Sequence, residues 1–341
     1  MDERGLLDLI IARLPGLAYP ERILLCESFN RERDLIQSSA GAIEQIISRT
    51  LKAPWNPALF RTQAERDAKT ARLRRIGWVS WASPAYPPLL REIYDPPPVL
   101  FFRGTLPDPE KRLVAIVGTR RPSPQAAAQA YDIARDLGRQ GVSVISGLAL
   151  GIDAMASRGN LEGGVPTFVV LGSGVDEVYP SANRLLAKRI LDNGGALLSE
   201  YPPGAGARKW TFPARNRLIS ALAWGILVVE APERSGALIT AEQSLDQGKD
   251  LWVASTGAEA AAYAVQGKHA LYDRRGTAKL AEDGAGIIGS AGDILREWNW
   301  KIEGGEAAFS TADGELRDVP AECGGGKALA AGLARFLGID L

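Results

Sequence analysis

Histidine, cysteine and methionine are almost absent from this chain of 341 residues, which has one histidine, two cysteines and two methionines. A single imidazole, His269, argues against histidine-based metal sites and catalytic triads. Cys26 and Cys323 lie far apart in unlike surroundings, so the sequence suggests neither a disulfide framework nor a pair of metal ligands. Neither sign of charge is in excess, with forty basic and forty acidic residues. That balance argues against a chain that coats nucleic acid with its whole surface; a polyanion would have to meet a local patch. Long apolar runs are also missing: none could span a bilayer, and no basic start leads into an apolar N-terminal stretch. These absences predict a cytoplasmic protein without metal or cofactor.

Hydrophobic residues make up 46% and charged residues 23% of the chain, enough for a sizeable core without disulfides. Four segments are expected. Residues 1–75 read as a small helical domain, with apolar positions at helical spacing in Leu6, Leu7, Ile10 and Ile11, and again in Ile43, Ile46 and Ile47. Leu14-Pro15-Gly16-Leu17 is a tight turn of the kind found in helix-hairpin-helix modules, although Ala18 stands where the second glycine is usual. Residues 76–112 form a Pro-rich connection with at most one short strand, at 99–102. Residues 113–300 form the main domain, and 301–341 a Gly- and acid-rich linker with one helix at 327–336.

Within the main domain, short β-branched runs at 113–117, 142–145, 167–171, 226–229 and 251–254 alternate with amphipathic stretches at 124–139, 153–162, 181–193, 213–223 and 237–247. That alternation predicts an α/β fold, a doubly wound and mostly parallel sheet with right-handed crossovers, extended Rossmann-like.

Motifs sit where the strands end, the edge at which open parallel sheets bind ligands. After the first strand come Gly118, Thr119, Arg120 and Arg121, then Ser123-Pro124, a helix cap whose open amides should attract an anion beside Arg120. One glycine does not make the G-x-G-x-x-G of a dinucleotide site. After the second come Ser146, Gly147, Gly151 and Asp153, the last expected to cap its helix. Ser235 and Gly236 open a later helix in the same manner. Between them, Arg208, Lys209, Trp210, Phe212, Arg215, Asn216 and Arg217 combine four cations and two aromatics with no acid, a pairing suited to single strands. Such a stretch is also compatible with a solvated turn whose aromatics enter the core.

The order Gly-Thr-Arg (118–120), Ser-Gly-Leu-Ala-Leu-Gly-Ile-Asp (146–153), Tyr-Pro-Ser-Ala-Asn (179–183), Ser-Glu-Tyr-Pro-Pro-Gly (199–204), Phe-Pro-Ala-Arg-Asn-Arg (212–217) and Arg-Ser-Gly-Ala-Leu-Ile-Thr (234–240) resembles the DNA-processing protein A family, also called Smf. The resemblance implies single-stranded DNA bound in a basic pocket, a homodimer, and delivery of the strand to the RecA recombinase in natural transformation. By motif, Arg120 would be a principal phosphate contact with Gly118 and Thr119, Arg215, Asn216 and Arg217 a second wall, and Ser146, Gly147 and Gly151 the floor. Ala278 stands where the family has an asparagine, and 301–341 does not fit the family's winged helix.

Rival functions include an interaction protein that keeps the fold without binding DNA, which Arg120 and the unopposed cations at 208–217 count against, and two kinds of enzyme. An enzyme resembling the nucleotide phosphoribohydrolases would use the same phosphate pocket, but Ser235-Gly236-Ala237-Leu238-Ile239-Thr240-Ala241-Glu242 matches their motif imperfectly and Glu242 has no evident partner base. A two-metal nuclease would need clustered carboxylates, whereas Asp153, Asp176 and Glu200 each read as a cap or an arginine partner. The expectation is a DNA-binding protein without catalytic residues.

Overall fold

The computed structural model describes residues 3–258 and 272–300. Nine strands form one sheet: β1 (Gly77–Ser80), β2 (Val99–Gly104), β3 (Leu113–Val117), β4 (Ser143–Ser146), β5 (Phe168–Val170), β6 (Ala196–Ser199), β7 (Gly225–Val228), β8 (Asp250–Ala254) and β9 (Gly286–Ile288). Their order is β1-β2-β6-β5-β4-β3-β7-β8-β9, parallel from β6 to β9, with β1 and β2 added antiparallel at one edge.

Both faces of the sheet are buried, so each central strand is apolar on alternate residues in both directions. In β3, Leu113, Ala115 and Val117 point into a core shared with the helices Thr211–Leu222 and Gly236–Asp246. Val114 and Ile116 point the other way, into a core with the helices Pro124–Arg139 and Ala291–Glu297. At the other end of the sheet, Val99, Phe101, Val169 and Leu197 share one cluster with Leu7, Ile10 and Ile43 of the N-terminal helices. Those helices therefore complete the sheet's own core.

The Pro-rich connection differs from expectation by supplying two strands. Its prolines fall in the loops on either side of β2, so none removes a ladder donor, and Trp78 and Val79 pair with Phe101 and Leu100. β6 and β9, four and three residues long, were also not expected. The expectations for His269, Cys323, the 301–326 linker and the 327–336 helix lie outside the described residues. Trp298 packs on Trp252 at 5.7 Å between ring centroids. No helix among the described residues is long and apolar enough to cross a membrane.

Candidate nucleic-acid interface

From β3 the chain proceeds outward through β4, β5 and β6, whereas from β7 it proceeds the opposite way through β8 and β9. Between β3 and β7 the order of strands therefore reverses, and the loops leaving their carboxyl ends diverge to open a crevice. There lies a cleft of about 700 Å³ whose lining includes Gly118, Thr119, Arg120, Arg121, Lys209, Arg215, Asn216, Ser235 and Gly236. These nine, all named from the sequence, are thus brought together with Asp153 and Phe212, and Gly147 lines a smaller recess beside them.

The base of the cleft is built from charged groups withdrawn from water. Asp153 accepts from the amides of Gly147 and Ala149, both at 3.2 Å, so it closes the loop that precedes its helix. From the other side, Arg215 Nη1 donates to the carbonyl of Gly147 at 2.9 Å and to that of Val170. Burial pulls the Arg215 pKa down to about 10 despite the opposing pull of Asp153. Burial likewise raises Asp153, with Arg215 acting against the shift. Arg215 is thus a fixed positive charge under the cleft rather than a mobile arm. Asn183 reaches thirty-five residues back and donates to the carbonyls of Leu148 and Ala149.

Above this base, Arg120, Arg121 and Lys209 are exposed, line the cleft, and have no carboxylate partner among the described residues. Arg208 is exposed next to them but does not line the cleft. The Arg120 guanidinium lies 5.7 Å over the Phe212 ring, and Phe212 in turn meets Tyr179 at 5.4 Å. Tyr179 is 50% exposed and lines the cleft, so the pair can be reached by a ligand. Tyr179 and Thr240 also line the cleft, although the sequence motifs assign neither a contact with a ligand. The signal for Tyr179 was its place at the head of one of the motifs, beside a proline.

Several expected contacts are turned inward. Ser146 is fully buried, and its hydroxyl donates to the Ile116 carbonyl at 2.7 Å, bracing β4 to β3. Gly151, at φ 79°, lies beneath the loop, where a Cβ would come within 2.4 Å of the Thr119 carbonyl. Arg217 faces away from the cleft: it holds Glu200 through two bonds of 2.8 and 2.7 Å and Asp95 at 2.9 Å, while Tyr19 donates to the same Glu200 at 2.6 Å. The stretch 208–217 has no acid in sequence, yet its last two arginines are answered by distant carboxylates.

The start of the helix Pro124–Arg139 does not await an anion either. Ser123 caps it, and the buried Glu230 carboxylate accepts from the Ser123 amide and hydroxyl with Arg274 beside it. The helix Gly236–Asp246 is different, because its opening residues Ser235, Gly236 and Ala237 border the cleft and its dipole favours negative charge there. The N-terminal hairpin turn is self-satisfied: the Ala18 amide donates to Glu21, which pairs with Arg49. Ala278 is a buried packing position in the helix Arg275–Glu282. Asp176 pairs with Arg74, and Glu242 does not line the cleft.

The family described as DNA recombination-mediator protein A matches residues 78–299, a span that includes the whole cleft. The chain belongs to this family. It is 38% identical over 241 residues to the DNA processing protein DprA of Bacillus subtilis, covering 70% of this chain and 76% of that one. To the DprA of Streptococcus pneumoniae it is 36% identical over 248 residues, covering 72% and 83%. Among solved structures, the S. pneumoniae protein superimposes with a TM-score of 0.67 at 31% identity, over 87% of this chain and 98% of that one. The Helicobacter pylori DNA processing protein A, solved to explain its single-stranded DNA binding mode, gives 0.54 at 28% identity over 66% and 96%. Family membership places the chain among DNA-processing proteins of Rossmann-like fold, as its motifs imply.

Proposed function

We propose that the cleft between β3 and β7 binds single-stranded DNA through its phosphates and one or more bases. The observation that carries this is the combination in one cleft of Arg120, Arg121 and Lys209, cations without a carboxylate partner among the described residues, with the Tyr179–Phe212 pair, whose tyrosine is half exposed. Cations held away from carboxylates neutralise phosphates and release counterions, while an aromatic face accepts any base. The buried Arg215 and the helix start at Gly236 add positive potential that no ligand has to organise. Duplex DNA offers no free base face, so preference for the single strand follows from the aromatic pair.

The larger assignment is a recombination mediator of the cytoplasm that acts as a homodimer and passes its strand to the RecA recombinase during DNA uptake. The family's description as a recombination mediator supports it. Anisotropy titration with labelled single and double strands tests the binding step. Light scattering tests the dimer, and the rate of RecA filament assembly on strands coated with a single-strand-binding protein tests the transfer.

A further inference from the structure

The helix Pro57–Leu73 ends in a group of cations that nothing in the cleft uses. Arg66, Lys69 and Arg72 recur every three residues along one side of its last turns, and Arg75 follows in a left-handed conformation at φ 54°. All four are exposed and none has an ion-pair partner among the described residues. The acids of the same stretch are already engaged: Asp67 is buried against Arg13, and Glu65 pairs with Arg61. Leu73, 75% exposed, lies among them. On most surface helices cations and acids alternate; here an unanswered run of one sign leaves a local positive field on a chain of zero net charge.

The run is joined to the cleft by a short bridge. Arg74 pairs with Asp176, which also accepts from the Gly204 amide at 3.0 Å. Asp176 is three residues from Tyr179, and Gly204 is five from Lys209, both of which line the cleft. Three residues of extended chain span at most about 11 Å. The Arg74–Asp176 pair thus fixes the helix end beside the cleft rim and cancels an acid that would otherwise repel a phosphate chain there.

We propose that Arg66, Lys69 and Arg72 form a second phosphate-binding surface, over which a single strand seated in the cleft continues. The proposal rests on the cleft reading and assigns the N-terminal helices a part in holding DNA. It uses their C-terminal cationic face and not the hairpin turn, whose amide is already bonded. Binding of a longer strand therefore has two sections, an aromatic-lined cleft and a purely electrostatic extension.

The test compares oligothymidines of about four and about twenty nucleotides, which bracket the site sizes of single-strand binding modules, on the full chain and on the triple variant Arg66→Ala, Lys69→Ala, Arg72→Ala. The short strand should bind both proteins alike. For the long strand the variant should bind about tenfold more weakly, with a salt slope lower by about 2, three contacts at roughly 0.7 each. Thermal unfolding checks that the variant is folded, as expected for three exposed side chains. Equal long-strand affinity and slope for the two proteins would overturn the proposal and leave the patch to an acidic protein partner. Absence of short-strand binding to the native chain would instead overturn the cleft reading.

Discussion

Asp153 and Arg215 clamp Gly147 from opposite sides, one accepting from its amide and the other donating to its carbonyl. A Cβ at position 147 would stand 2.7 Å from both the Arg215 Nη2 and the Asp153 Oδ2 atoms. Two buried charges thereby set the loop that carries Ala149 into the cleft, and they do so only because position 147 has no side chain.

Gly147→Ala should therefore separate the pair and loosen the loop, lowering stability by about 1–3 kcal/mol, the usual scale of overpacking. Gly151→Ala should be at least as damaging, since it adds a left-handed backbone to a 2.4 Å clash. Denaturant unfolding reads both; midpoints equal to that of the native chain would contradict the clamp.

Arg215→Gln has a pH signature. Arg215 is the main group opposing the burial-driven rise of the Asp153 pKa, so its loss lets that pKa rise further. A carboxyl with a raised folded pKa holds its proton more tightly folded than unfolded, so its stability contribution is present at low pH and is lost as pH rises through the folded value. The deficit of the variant, about 3–5 kcal/mol with the carboxylate unpaired, should thus be greatest at alkaline pH and shrink on acidification. Chemical-denaturation midpoints across mildly acidic to alkaline pH measure this; a deficit independent of pH would contradict it.

Arg217→Ala should act on folding, not on DNA. It leaves the buried Glu200 carboxylate beside Tyr19 without its arginine, a loss of about 3–5 kcal/mol. Adding Glu200→Gln removes the orphaned charge and should restore part of that stability. The folded fraction should keep its salt slope for DNA. A lower slope at unchanged stability would place Arg217 in the cleft after all.

Tyr179→Ala should weaken binding of a single strand by about 1–3 kcal/mol, the worth of one stacked base, without altering the salt slope because no cation is lost. Titration at two salt concentrations separates the two terms. Unchanged affinity would show that bases do not meet this ring.

How much of this was legible follows from the range of each interaction. The run 113–117 announces a strand because every residue in it is apolar and buried, and the motifs stand at strand ends because the chain turns there. The strands at 77–80, 196–199 and 286–288 were not expected: each is four residues or fewer, and the first and last begin on glycine, so no local period distinguishes them. Arg215 and Arg217 look equivalent in sequence. Two helical residues are about 200° apart around the axis, which sends one beneath the cleft and the other to Glu200. Their partners, Asp153, Glu200 and Asp95, come from distant parts of the chain, and Glu230 fills a helix start more than a hundred residues before it. Pairings of that length leave no mark on composition or spacing.

Strand binding in the cleft is tested most directly by an anisotropy titration of a labelled oligothymidine, single-stranded and duplex, against the native chain and Arg120→Ala over a range of salt. Tighter binding to the single strand is expected, with a loss of about tenfold in the variant, a salt slope lower by about 0.7, one phosphate contact, and thermal stability unchanged. Equal affinity and slope for the two proteins, or preference for the duplex, would contradict it.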